Sequence, residues 1–143
     1  MDYTAIVYRS TALTGLDADA LDHLLVDARA HNQMAGVTGV LLYDGRGFLQ
    51  YFEGARDDVD RIYARIRASR LHVDLQELQN GPVAQLFFQQ WYMGCQQVGG
   101  SVLQKLSSQQ WQHEIENVRQ EAVTSPGLAQ LLRFWELNGK PPA

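Results

Sequence analysis

Apolar and polar positions along this chain follow two periods, one suited to strands and one to helices. Tyr3 to Ser10 is short and rich in aromatic and β-branched residues, which predicts a strand. Asp17 then offers a helix N-cap with Asp19 in the first turn, and Leu21, Leu24, Leu25 and Ala28 recur on one face as far as about Gln33. Gly36 ends that helix, and Val37 to Tyr43 reads as the second strand. Asp44-Gly45-Arg46-Gly47 is a hairpin turn, because glycine supplies positive φ at little steric cost, and Phe48 to Glu53 returns as the third strand. A charged helix follows from Asp57 to about Arg70, with Val59, Ile62, Tyr63 and Ile66 as its apolar stripe. Val73 to Leu78 is a weaker fourth strand, Asn80-Gly81-Pro82 a turn, and Leu86 to Met93 a fifth strand. Beyond a Gly99-Gly100 joint, Ser107 with Gln110 forms a capping box for a helix carrying Trp111, Ile115 and Val118. Ser125-Pro126 starts another, in which Leu128, Leu131, Leu132 and Trp135 face one way until Gly139, Pro141 and Pro142 stop it.

The order is therefore βαββαββ followed by αα. Both helical crossovers join strands able to lie parallel, which predicts an α+β, ferredoxin-like mixed sheet of five strands. Ile6 and Tyr8 share one face of the first strand, and Tyr3, Ala5 and Val7 the other. In the third strand Phe48, Gln50 and Phe52 oppose Leu49 and Tyr51. Both faces are apolar, so both need cover. The two crossover helices are expected on one face and the two C-terminal helices on the other, with residues 1–98 as the main module and 99–143 as an extension packed on the sheet.

Composition removes several function classes. The chain has 143 residues, of which 45% are hydrophobic and 20% charged, an ordinary balance for one globular domain. Twelve Lys+Arg against sixteen Asp+Glu give a net charge of −4 with no basic tract, so neither nucleic acid nor an anionic membrane is an expected partner. One cysteine excludes a disulfide framework and a thiolate-rich zinc site, and His23, His31, His72 and His113 stand too far apart for metal-ligand spacing. MDYTAIVYRS reads as neither a signal nor a transit peptide, and no apolar run approaches the roughly 20 residues of a membrane span, so a cytoplasmic protein is expected. Cys95 has no nucleophile signature and no phosphate-cradling loop opens a helix, so an enzyme is not expected.

Polar residues in apolar surroundings remain. Gln50 interrupts the aromatic face Phe48–Phe52, where burying an amide is costly unless it finds hydrogen-bond partners. Tyr8 lies on the corresponding face of the first strand, so the two can meet across adjacent strands. Taken alone, Tyr8 reads as a core tyrosine and Asn32 as a helix-end residue. Gln50 has no comfortable structural place, which points to a polar ligand on this face.

Tyr8-Arg9-Ser10, His31-Asn32, Val37-Thr38-Gly39-Val40-Leu41, Phe48-Leu49-Gln50, Phe52-Glu53-Gly54 and Trp91-Tyr92-Met93-Gly94 form one ordered set from roughly Met1 to Met93. In their order and spacing the chain resembles the BLUF domain, the flavin-binding module of blue-light receptors. The resemblance implies a BLUF domain over 1–98, non-covalent FAD, and a flavin ring lying between the two crossover helices against the sheet. Asn32 would bind the O4/N3 edge of the ring, since an amide presents a donor and an acceptor together. Leu24 and Ile66 would sandwich the ring, while Arg65 and His31 are candidates for its pyrimidine side or the phosphates. Tyr8, Ser10, Gln50 and His72 complete the implied binding set. In the family's photochemistry Tyr8 would be the electron donor to the excited flavin and Gln50 the hydrogen-bond relay, giving a small red shift without a lasting covalent bond. Trp91 and Met93 occupy positions at which the family passes the change to the fifth strand. The short extension over 99–143 is similar to that of members without an output domain, which implies a separate signalling partner or an oligomer of the chain itself.

Two departures stand out. The family's D-x-R-H appears here as Ser69-Arg70-Leu71-His72, and its R-x-F-x-x-W as Leu86-Phe87-Phe88-Gln89-Gln90-Trp91. Both remove charge expected near the FAD tail, for which Arg70 or Arg65 could substitute. They favour the alternative reading, a flavin-free ferredoxin-like protein-interaction module. An acyl-phosphate hydrolase on the same fold is opposed by the lack of a phosphate-binding loop.

Overall fold

In the computed structural model, which describes residues 2–13, 17–70, 72–95 and 101–139, seven elements build the expected βαββαββ unit and two helices follow. They are β1 (Tyr3–Ala12), α1 (Ala18–Met34), β2 (Thr38–Tyr43), β3 (Gly47–Ala55), α2 (Arg56–Ala68), β4 (His72–Val83), β5 (Trp91–Cys95), α3 (Val102–Ala122) and α4 (Pro126–Phe134), the last running into a π-helical turn over Trp135–Gly139. The Gly99-Gly100 joint, Leu71 and the two C-terminal prolines lie outside the described residues.

The sheet order is β4-β1-β3-β2-β5. β1 is antiparallel to β3 and β4, while β2 is antiparallel to β3 and parallel to β5. β1 and β2 therefore run the same way, as do β3 and β4, so α1 and α2 are the crossovers of a split βαβ pair. The expected ferredoxin-like α+β architecture is the observed one. One face buries Ile6, Tyr8, Phe48 and Phe52 against Leu21 and Leu25 of α1 and Val59 and Ile62 of α2. The other buries Val7, Leu42, Leu49 and Tyr51 against Trp111, Ile115 and Val118 of α3 and Leu128 and Leu131 of α4. No helix among the described residues is long and apolar enough to cross a membrane.

Three local signals act where they were read. Asp17 accepts from the Ala20 N–H at 2.8 Å and Ser125 from the Leu128 N–H at 3.3 Å, each filling an orphan donor of its helix. Asp44 Oδ1 accepts from the Arg46 and Gly47 N–H groups at 2.9 Å each, and Gly45 takes φ of 94° in the turn they close. Gly39 is needed for a different reason: a Cβ there would lie 2.0 Å from the Tyr51 carbonyl oxygen of the neighbouring strand.

Four expectations are corrected. β4 does not stop at Leu78; it runs through Asn80-Gly81-Pro82, which pair with Ile6, Ala5 and Thr4. β4 is an edge strand, so a proline lacking its N–H fits there, and the two register shifts of the β1–β4 pair fall earlier in β4, opposite Val7–Tyr8 and Arg9–Thr11. β5 begins only at Trp91 rather than Leu86, because the Phe87 and Phe88 N–H groups bond to a side chain instead of a strand. α2 ends at Ala68 rather than Arg70, where the Ser69 N–H bonds back to the Ile66 carbonyl at 3.1 Å. α3 starts at Val102, capped by Ser101, so Ser107 is a buried residue inside the helix and not its cap. Its first turn is tied to α1: Asp22 Oδ1 accepts from Ser101 Oγ at 2.8 Å and from Gln104 Nε2 at 2.9 Å.

Candidate functional site

A cavity of about 360 Å³ opens between α1 and α2, within the size range of small-molecule sites. Tyr8 of β1, Leu41 of β2 and Phe48 and Gln50 of β3 form its floor. Leu24, Asp27, Ala28, His31 and Asn32 line it from α1, and Ile62, Arg65 and Ile66 from α2. Ala68, Ser69 and His72 complete the lining. Strand alternation puts Tyr8 and Gln50 on this face, and helical spacing of 24, 28, 31 and 32 turns those α1 positions toward it.

Tyr8 and Gln50 are register partners between β1 and β3, and the Tyr8 hydroxyl donates to Gln50 Oε1. The buried amide thus has the partner that its burial demands, and its NH2 end is what it has to offer a ligand. Burial, with the nearby Tyr63 as a smaller cause, pushes the Tyr8 phenol above its ordinary range, so Tyr8 is a neutral donor. Asn32 is 2% exposed, and its backbone carbonyl accepts from the Val37 N–H at 2.8 Å. Its Nδ2 is buried without a hydrogen-bond partner. Leaving such a donor unpaired costs about 1–3 kcal/mol, which an acceptor on a ligand in the cavity would relieve.

Polar groups cluster toward the helix edges of the cavity. Arg65 donates to Asp27 Oδ2 at 2.8 Å between α2 and α1, and both side chains are more than half exposed, so solvent keeps the pair weak. His31 Nδ1 lies 2.8 Å from the Asp27 carbonyl oxygen. Arg65 is the one arginine or lysine in the described lining. Ser69, standing where the family pattern has an aspartate, also lines the cavity.

His72 is a strut. Its Nε2 lies 2.9 Å from the Ile66 carbonyl oxygen and its Nδ1 2.6 Å from Ser10 Oγ. A carbonyl only accepts, so Nε2 carries the hydrogen and, in the neutral ring, Nδ1 accepts from the Ser10 hydroxyl. Ser10 is absent from the described lining and meets it through His72, which fixes the turn of α2 that carries Ile66. Trp91 and Met93 also stand behind the lining, 4% and 1% exposed, opposite Gly39 and Leu41 in the β2–β5 register. Of the residues singled out from sequence, Tyr8, Leu24, His31, Asn32, Gln50, Arg65, Ile66 and His72 come together around the cavity, while Ser10, Trp91 and Met93 lie one layer out.

Sequence reasoning assigned no role to Glu53, which is 0% exposed on the opposite face of the sheet. Its Oε1 accepts from the Tyr51 hydroxyl at 2.9 Å, and its Oε2 from the Phe87 and Phe88 N–H groups at 2.7 and 2.5 Å. The available signal was a carboxylate closing a strand that otherwise reads as fully buried. Burial raises its pKa, opposed by the hydrogen bonds from Phe88, Tyr51 and Phe87. Between the ordinary carboxylate value of 4.5 and the raised value, the folded state binds more protons than the unfolded state, so stability falls as pH rises through that window. Glu53→Gln is expected to remove this slope. Melting temperatures of both proteins from pH 4.5 upward check it, and equal slopes would refute the assignment.

Residues 3–94 match the family model for BLUF, described as sensors of blue-light using FAD. The chain belongs to the BLUF family. Its cofactor is FAD, and the module is a sensor. The cavity residues fit a flavin, since an unpaired amide donor at Asn32 and apolar Leu24 and Ile66 on opposing helices suit a flat ring with a polar edge. The chain is 33% identical over 84 residues to photoactivated adenylate cyclase subunit alpha of Euglena gracilis, a match covering 59% of this chain and 8% of that protein. It is 31% identical over 75 residues to the blue light- and temperature-regulated antirepressor BluF of Escherichia coli K12, covering 52% of this chain and 19% of that one. The matches thus span a small part of these curated relatives. The dark-state structure of BlrB, a BLUF protein, is 25% identical with a TM-score of 0.63 and is matched over 92% of this chain and 93% of its own.

Proposed function

We propose that this BLUF protein senses blue light through the Tyr8–Gln50 pair, with FAD held non-covalently between α1 and α2. The observation that carries the reading is the Tyr8 hydroxyl donating to Gln50 Oε1 at the floor of a cavity that also holds the unpaired Asn32 Nδ2. Bound FAD supplies the absorption of blue light and an excited-state demand for an electron that Tyr8 meets. Losing an electron makes a phenol strongly acidic, and Gln50 Oε1 is already placed to take the Tyr8 proton. An amide protonated on oxygen can release a proton from nitrogen to the flavin that took the electron or turn about, and either change exchanges its donor and acceptor ends; one electron and one proton then return to Tyr8, which ends as the neutral phenol it began as. Leu24 and Ile66 would hold the ring by apolar contact, Asn32 would engage its polar edge, and Arg65 and His31 would serve its pyrimidine side or phosphates. Ser10 and His72 keep Ile66 in place.

The changed Gln50 contacts then pass to β5, where Trp91 and Met93 repack; a thioether adapts at small cost. In this reading residues 1–98 are the flavin module and 99–143 the helical extension, which has no catalytic role. The signal leaves through a separate protein or a second copy of the chain, in the cytoplasm, without nucleic acid or membrane as direct partner. The purified protein is expected to be yellow, with flavin bands that shift red under blue light and return in darkness. A colourless protein that takes up no added FAD would sink the reading and favour a flavin-free interaction module.

A further inference from the structure

β5 is the edge strand through which the proposed signal must leave, and its two ends are held very differently. At its start, the preceding segment is irregular, yet the Phe87 and Phe88 N–H groups both donate to the one buried carboxylate oxygen Glu53 Oε2. The Gly39 N–H also donates to the Gln90 carbonyl at 3.3 Å, which seats Trp91 in register beside Gly39. Toward its far end, β5 lies directly under the C-terminal helices. A Cβ on Gly94 would come 2.8 Å from Trp111 and 3.0 Å from Trp135, and the Tyr92 hydroxyl donates to Glu114 of α3 at 3.2 Å.

Opening the Glu53 clamp would leave a buried carboxylate oxygen and two N–H groups without their partners, an outcome far costlier than loosening an exposed contact. A displacement started at Trp91 or Met93 therefore meets a fixed point on one side and close packing against α3 on the other. Glu53 takes no part in the proposed photochemistry, since the sheet separates it from the cavity.

We infer that Glu53 is a positioning residue for signalling: it anchors the start of β5, so that a change at Trp91 and Met93 emerges at Trp111 of α3 instead of dissipating in residues 84–90. The inference rests on the proposed light response and concerns only where that response goes.

The test labels the three tryptophans, Trp91, Trp111 and Trp135, with 5-fluorotryptophan and follows each fluorine resonance in darkness and under blue light. In the unaltered chain the Trp91 and Trp111 resonances both move. In Glu53→Leu, which removes the acceptor, the flavin red shift and the Trp91 change persist, while the Trp111 change falls by at least about fivefold. In Glu53→Gln, whose carbonyl oxygen still accepts, the Trp111 change returns. A Trp111 change undiminished in Glu53→Leu, absent from the unaltered chain, or not restored in Glu53→Gln overturns the inference. Should Glu53→Leu fail to fold, amide exchange in the unaltered chain decides: equal protection of the Phe87 and Phe88 amides in dark and light supports the anchor, and exchange faster by about tenfold in light refutes it. A chain that shows no flavin red shift at all instead fails the functional reading.

Discussion

Tyr8→Phe leaves a yellow protein whose spectrum no longer shifts reversibly under blue light. The substitution keeps the ring that packs edge-on against Phe52 at 6.2 Å between centroids, so the floor of the cavity and the flavin contacts survive. It deletes the one hydroxyl that donates to Gln50 Oε1 and with it the proton that the proposed relay moves. Removing the hydroxyl leaves Gln50 Oε1 buried without its partner, a cost of about 1–3 kcal/mol that a domain stable by about 5–15 kcal/mol absorbs, so the loss of response is functional and not a failure to fold. Gln50→Leu attacks the same step from the other side. Leucine, one methylene shorter, stays within the apolar floor of the cavity, can neither accept from Tyr8 nor present an NH2 end, and should abolish the shift as completely. Light-minus-dark absorption spectra of both variants, with bound flavin measured on the same samples, check the pair. A full reversible shift in either variant would overturn the assigned roles.

Trp111→Ala should destabilise the whole domain by about 3–5 kcal/mol, the range for truncating a large buried aromatic. The indole is 0% exposed at the centre of the core half built by the C-terminal helices. It meets Trp135 edge-on at 6.0 Å and stands near Phe88 and Tyr92 at 6.5 and 6.4 Å. Its Nε1 is buried without a partner, and deleting that unmet donor holds the loss toward the lower end. Against a total stability of about 5–15 kcal/mol for a domain, the loss should lower the melting temperature by roughly 10 °C. Denaturant titration monitored by far-UV circular dichroism checks it. A loss below about 1 kcal/mol would mean that α3 and α4 form a detachable tag, contrary to the two-sided core.

In the proposed reading the same geometry makes one face of the sheet the sensor and the other the transmitter. The cavity lies on the face covered by α1 and α2, which part enough to admit a flat ring. The opposite face is filled by three aromatic layers, Tyr51 and Phe88, then Trp111, then Trp135. Filled packing resists deformation and passes displacement onward, whereas a cavity bounded by two helices admits a ligand.

What the sequence by itself determined were features whose causes sit within a few residues or in a repeated period. Asp17, Ser125 and the Asp44–Gly47 turn could be read because each cap or turn is closed by neighbours in the chain. The two-sided core could be read because alternation in β1 and β3 left both faces apolar. The ordered pieces from Tyr8 to Gly94 carried the family and its cofactor. Only the tertiary structure decided features whose partners lie far away. Pro82 can belong to β4 because that strand is at the edge of the sheet. α3 begins at Val102, with its cap Ser101 held by Asp22, 79 positions earlier. β5 is delayed to Trp91 while Phe87 and Phe88 turn to Glu53, 34 and 35 positions before them. The site divides in the same way. Gln50 was conspicuous in the sequence, but that its oxygen faces Tyr8, that the Asn32 donor is left unpaired, and that Ser10 reaches the cavity only through His72 depend on which atoms folding brings to within about 3 Å.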